Sequence, residues 1–161
     1  MNSHIYEISH TPIPINQHAK AGNIPDWFYE QVCSYAVNTD QAEREGAIQE
    51  LSKCLGRFCV RRGDEFILSS QMKEAFFRCR YHYFKAAAEI LAQIDFDVFA
   101  GFSVSCAFHL ALAGLNDSYE DRHGIYIYST ETEELVTLER WLRNADLTHP
   151  FYIGGAIAYY C

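Results

Sequence analysis

Phe-Tyr-Ile-Gly-Gly-Ala-Ile-Ala-Tyr-Tyr-Cys, residues 151–161, is the stretch on which the fold class turns. It follows Pro150 and carries no charge. Its aromatic and aliphatic side chains suit a pleated surface, so it reads as a strand. Gly154-Gly155 inside it marks a bulge or a close approach by another backbone segment. At a sheet edge, a strand with no charge to blunt it would invite pairing with a second copy, so a homodimer is one expectation.

Residues 4–9 form a short strand at the other end of the sequence, with Ile5, Glu7 and Ser9 alternating with Tyr6, Ile8 and His10. Phe58-Cys59-Val60 and Phe66-Ile67-Leu68 flank a turn at Gly63-Asp64 and predict a hairpin. Residues 125–128 read as a core strand. Between these strands the period changes. Asp26 can cap a helix carrying Trp27, Phe28, Val32, Tyr35 and Ala36 on one side, and Asn38-Thr39-Asp40 breaks it. Residues 41–55 turn Ala47, Ile48, Leu51 and Leu55 inward, and Gly56 stands where a left-handed stop is wanted.

Ser69 or Ser70 opens the longest helix, which runs to about Ile94. Its stripe of Met72, Phe76, Cys79, Tyr83, Ala87, Ile90 and Ile94 is the clearest period in the chain and predicts a buried face. Residues 95–101 read as a link, and Ser103 opens a helix through Leu115 that is apolar on nearly every side and so is expected to be buried. Residues 116–124 are a polar loop. Thr130-x-x-Glu133 has the form of a capping box for a helix carrying Leu135, Leu138, Trp141 and Leu142. About five strands and five helices in mixed order, without regular βαβ alternation or a linker, predict one α+β domain over residues 1–161. Its sheet should be mixed or antiparallel, with the helices packed on it.

A length of 161 residues suits one domain, and 49% hydrophobic with 15% aromatic residues argues against disorder. The first residues lack the basic start and apolar run of an export signal. Ser103, Ser105 and His109 interrupt the longest apolar stretch, which also falls short of the roughly 20 clean residues a spanning helix needs. These features predict a cytoplasmic protein with no membrane partner. Its six cysteines then read as thiols or metal ligands rather than disulfides.

Charge is unevenly spread. The net charge is −8, yet residues 57–85 hold seven basic side chains against three acidic ones, so that window is +4 and the remainder −12. Within it Arg61, Arg62, Arg78 and Lys85 are candidates for a face that binds nucleic acid, since phosphates need clustered positive charge. The overall acidity argues against a duplex partner.

Cys79-x-x-His82 and Cys106-x-x-His109 form a doubled motif, each with an aromatic residue in third place. Residues three apart on a helix share a face, so two such pairs on touching helices could hold zinc in a Cys₂His₂ tetrahedron. The competing reading leaves Cys79 in the core stripe, His109 as a satisfied core histidine and the protein without a cofactor. No nucleophile elbow, phosphate-binding loop, zinc-protease motif or dinucleotide fingerprint is present, which argues against an enzyme.

Asp117, Glu120, Asp121, Glu131, Glu133 and Glu134 gather opposite charge into eighteen residues. Carboxylates so grouped can occupy the nucleic-acid channel of another protein by competing for its arginines and lysines. In size and charge the chain resembles the small proteins of mobile elements that block restriction or CRISPR nucleases. That resemblance implies an acidic inhibitor of anti-restriction or anti-CRISPR type, with a nuclease as partner. A non-catalytic protein-binding domain is therefore the leading expectation. A metal protein or small enzyme centred on the Cys-x-x-His pairs is the alternative, and a nucleic-acid binder using the basic face is the third.

Overall fold

The computed structural model describes residues 2–101 and 106–161. In chain order its strands are β1 (Asn2–Ser9), β2 (Tyr35–Asn38), β3 (Val60–Arg62), β4 (Glu65–Ile67), β5 (Tyr126–Ser129), β6 (Glu134–Thr137) and β7 (Phe151–Tyr160). Its helices are α1 (Asp26–Gln31), α2 (Gln41–Leu55), α3 (Ser70–Ala92), α4 (Phe96–Phe99), α5 (Cys106–Tyr119) and α6 (Leu138–Asn144). The chain is α+β. It forms two compact units, one of residues up to Lys73 together with Arg122–Cys161, the other of Glu74–Asp121. Among the described residues no helix is long and apolar enough to cross a membrane.

All seven strands join one sheet in the first unit, ordered β3-β4-β7-β1-β5-β6, with β2 also on β7. Only β1 and β5 run parallel. β7 is central rather than an edge: β1 covers one side along its length, while β4 pairs with its beginning and β2 with its end on the other. A strand shared in this way has a stretch where neither short neighbour reaches. There the α2 residue Arg44, only 5% exposed, donates from Nε to the Gly154 carbonyl at 2.7 Å and from Nη2 to that of Ile153 at 2.8 Å. Its charge is balanced by Asp64 at 2.9 Å, in the β3–β4 turn.

Beside it, β1 and β7 slip register. Tyr6 faces Ala156 and Ile8 faces Ile153, so Glu7 stands opposite both Gly154 and Gly155. This is a β-bulge, as the two glycines suggested. The buried Glu7 carboxylate accepts from Gly155 N–H at 2.7 Å and from Ala19 N–H at 2.8 Å, which ties the segment before α1 to the bulge. Glycine is required sterically here: a Cβ on Gly155 would lie 2.5 Å from the Ala19 carbonyl oxygen, and one on Gly154 would overlap the Glu7 carboxylate.

Both faces of the sheet are covered. On one, Phe28 of α1 meets Tyr126 and Tyr159 edge-on at 4.8 and 5.1 Å, among Ile5, Leu135 and Ile157. On the other, α2 is fixed by the Tyr6 hydroxyl, which donates to the Ala47 carbonyl at 2.7 Å. Burial holds that phenol well above its ordinary range, and the nearby Glu50 adds to the effect. The expected inward residues of α2 are all buried, and Gly56 ends the helix at φ 80°. The Gly63-Asp64 hairpin also forms, with Gly63 at φ 63° as a two-residue turn of this kind needs.

Four expectations are corrected. α1 ends at Gln31, and Tyr35 and Ala36 belong to β2, because the end of β7 offers backbone partners and a stacked ring, Tyr35 on Tyr160 at 4.6 Å. Thr130 and Glu133 form a hairpin turn rather than a capping box. Glu133 takes φ 54°, which a helix start cannot use, and β6 follows before Thr137 caps α6 through the Arg140 N–H. The link at 95–101 contains α4, capped by Asp95.

The fourth correction is the largest. Of the long-helix stripe only Met72 and Ala87 are buried, and Tyr83 is 64% exposed. Cys106 and His109 are exposed too, so α5 is not a core helix. Two longer helices and one short one provide too little material to surround each other. The opening of α5 at Ser103 lies outside the described residues.

Arg44→Met should cost about 3 kcal/mol in urea unfolding, because two strand carbonyls lose a charged donor in a buried place. Tyr83→Ala, measured by the same assay in dilute monomeric protein, should cost well under about 1 kcal/mol, as an exposed side chain does.

Candidate functional site

Where β1 ends and α6 begins, the first unit has an open cleft of about 280 Å³. Its floor is Ile8 of β1, Val136 of β6, Trp141 of α6 and Phe151 of β7. Phe151 lies between two other rings, His10 at 4.8 Å and Trp141 at 4.9 Å. These residues meet because β1 pairs with β7 and α6 returns over the sheet directly after β6.

The rim is charged. Glu131 and Glu134 come from the β5–β6 hairpin, Arg140 and Asn144 from α6, and Asp146 from the turn after it. Three carboxylates face one guanidinium. Glu131 is spent on architecture: Oε1 accepts from His10 N–H at 2.6 Å and the Ser9 hydroxyl at 2.9 Å, and Oε2 from the Ser129 hydroxyl at 3.2 Å. Partial burial alone would raise its pKa, but these hydrogen bonds outweigh that and hold the carboxyl below its ordinary range. Asp146 is also lowered, first by the Thr148 hydroxyl and N–H, then by the nearby His149 and His10. Both acids therefore stay ionised under mildly acidic conditions.

The acidic set read from the sequence divides between the units. Glu131, Glu133 and Glu134 belong to the first, and Glu131 and Glu134 line the cleft. Asp117, Glu120 and Asp121 belong to the second, at and beyond the end of α5 rather than in a loop from residue 116.

The basic set divides as well. Arg61 and Arg62 lie on β3, where Arg61 bonds both Glu45 oxygens at 2.7 Å. Arg78 and Lys85 lie on α3, and Arg78 pairs with Glu74 one turn before it. Much of that positive charge is thus neutralised locally. Cys79, His82, Cys106 and His109 are all exposed, and among the described residues no three His, Cys, Asp or Glu side chains converge as metal ligands.

Sequence reasoning missed His10, Trp141, Asp146 and Phe151, whose proximity is a product of topology. The one available signal was the pairing of an aromatic-rich last strand with the first. No protein-family model matches the chain, and no curated protein or solved structure resembles it closely enough to show a shared family.

The sign of the acid response follows from Glu131. Its folded pKa lies below its unfolded one, so its contribution to stability is complete above the unfolded value and is lost as pH falls through the folded value. A carboxyl NMR titration should place Glu131 below 4.5, and Glu131→Gln should flatten the fall of stability on the acid side. A midpoint at or above that value would show that the bonds from Ser9, His10 and Ser129 do not hold Glu131 ionised.

Proposed function

We propose that this chain is a non-catalytic protein-binding domain whose cleft receives a lysine or arginine side chain of another protein. The observation that carries the reading is the pairing of an aromatic floor at Phe151 and Trp141 with the rim carboxylates Glu134 and Asp146. A long basic side chain has both parts. Its methylene stem is apolar and lies on rings, while its head seeks carboxylates and aromatic faces.

The wider charge distribution supports the same class of partner. Outside residues 57–85 the chain is strongly acidic, which steers it toward basic surfaces and speeds encounter with them. Proteins that handle nucleic acids present lysines and arginines in channels built for phosphate. An acidic domain that offers carboxylates with an aromatic seat competes for those residues. We therefore take the partner to be a nucleic-acid-handling enzyme, with inhibition by occupation as the outcome.

The test uses Trp141 as reporter in a Trp27→Phe background, titrated with arginine-rich, lysine-rich and acidic peptides of equal length. The basic peptides should change Trp141 emission saturably, and Glu134→Lys with Asp146→Lys should weaken binding at least about tenfold, roughly 1.4 kcal/mol. Equal response to basic and acidic peptides, or no effect of the double reversal, would sink the reading.

A further inference from the structure

Cys79, Tyr83 and Ile90 of the α3 stripe are exposed, and eight of the fourteen exposed large apolar side chains among the described residues lie in the Glu74–Asp121 unit. We infer that α3 and α5 present a self-complementary apolar seam through which two copies of this chain associate as a four-helix bundle.

α3 turns Arg80, Phe84, Ala87 and Leu91 toward its neighbour, each less exposed than the residue before it. On α5 Phe108, Ala111 and Ser118 are likewise less exposed than the residues before them, and the half-buried Leu115 continues their stripe. The two run antiparallel: Arg80 donates to the Asp117 and Ser118 carbonyls near one end, and Gly114 faces Ala87 farther along. In an antiparallel pair, positions one residue before the inward stripe fall on the same side of both helices. On α3 these are Cys79, Tyr83, Ala86 and Ile90, spaced four, three and four apart. On α5 they are Ala107, Leu110, Gly114 and Asp117, apolar at the start of the helix and acidic at its end. This is the heptad spacing of a coiled-coil seam. Tyr83 is 64% exposed, Ile90 45% and Leu110 67%.

Charge selects a second copy as the occupant. α3 carries four basic residues against two acidic ones, whereas residues 93–121 carry five acidic residues and no lysine or arginine. A two-fold axis parallel to the helices lays each α3 over the other copy's α5, so opposite charges meet twice. It also sets the basic half of α3, with Arg78 and Lys85, beside the acidic end of the opposing α5 at Asp117. The other axis would stack α3 on α3 and repel. The seam becomes the interior of an antiparallel bundle, which needs small and large apolar residues in alternation. Alanines at 86 and 107 among Tyr83, Ile90 and Leu110 meet that need.

Sedimentation velocity of the full chain between about 1 and 100 μM tests this, a range that spans common homodimer affinities. The parent should shift from monomer to dimer with rising concentration. Leu110→Glu and Ile90→Glu should each keep their helical circular dichroism and sediment as monomers. Asp117→Lys puts a positive charge at the acidic end of the seam and should weaken dimerisation about tenfold through repulsion of α3. Glu134→Lys, in the cleft, should leave it unchanged, which separates this result from the fate of the binding reading. A parent that is monomeric throughout, or a dimer that survives both seam variants, would overturn the inference.

Discussion

A ten-residue strand flanked on one side by two short ones leaves backbone carbonyls that no strand can reach, and Arg44 resolves this. Buried carbonyls without donors cost free energy comparable to a lost hydrogen bond, so the gap in β7 has to be filled. A guanidinium suits the position because its fixed fork spans adjacent carbonyls while another of its bonds reaches Asp64. The same stretch of β7 is served from the β1 side by Glu7, which supplies an acceptor where the bulge turns the Gly155 N–H out of register. One residue donates and the other accepts, and each stands where the ladder of strand hydrogen bonds is interrupted. The positions of α2, of the β3–β4 hairpin and of the segment before α1 all follow from these two side chains.

The cleft inherits its geometry from that arrangement. Phe151 and Ile8 meet at the floor because β1 resumes regular pairing with β7 beyond the bulge, at Ile8 and Ile153. Glu131 then locks the β5–β6 turn to the end of β1, which keeps the rim at a fixed height over the rings. A rim held by hydrogen bonds before any ligand arrives has less entropy to lose on binding.

The sequence declared its strands where alternation or charge-free runs were long, and its helices where caps and stops were local. Gly56, Gly63, Ser69 and the glycine pair in β7 each did what their chemistry required. β2 and β6 were hidden because four residues carry little periodic information, and the partner of β2 lies far away in the chain. The α3 stripe was read correctly as apolar and wrongly as buried. Periodicity reveals which side of a helix avoids water, but not whether this chain supplies the cover. Two of the six acidic residues, Glu131 and Glu134, found their way to the cleft, while the ring cluster beneath it depended on pairing that no local pattern encodes.

β1 and β7, the two strands at the middle of the sheet, join residues as distant as Ile8 and Ile153, while the Glu74–Asp121 unit is one continuous segment. Closing a loop of that size must precede any reward from the pairing, so sheet assembly carries most of the kinetic barrier. The helical segment faces no such delay and can gain structure while the sheet is still open. During that interval the β strands on either side are unpaired templates, and the order of events becomes as important to the yield of native protein as the stability of its final state.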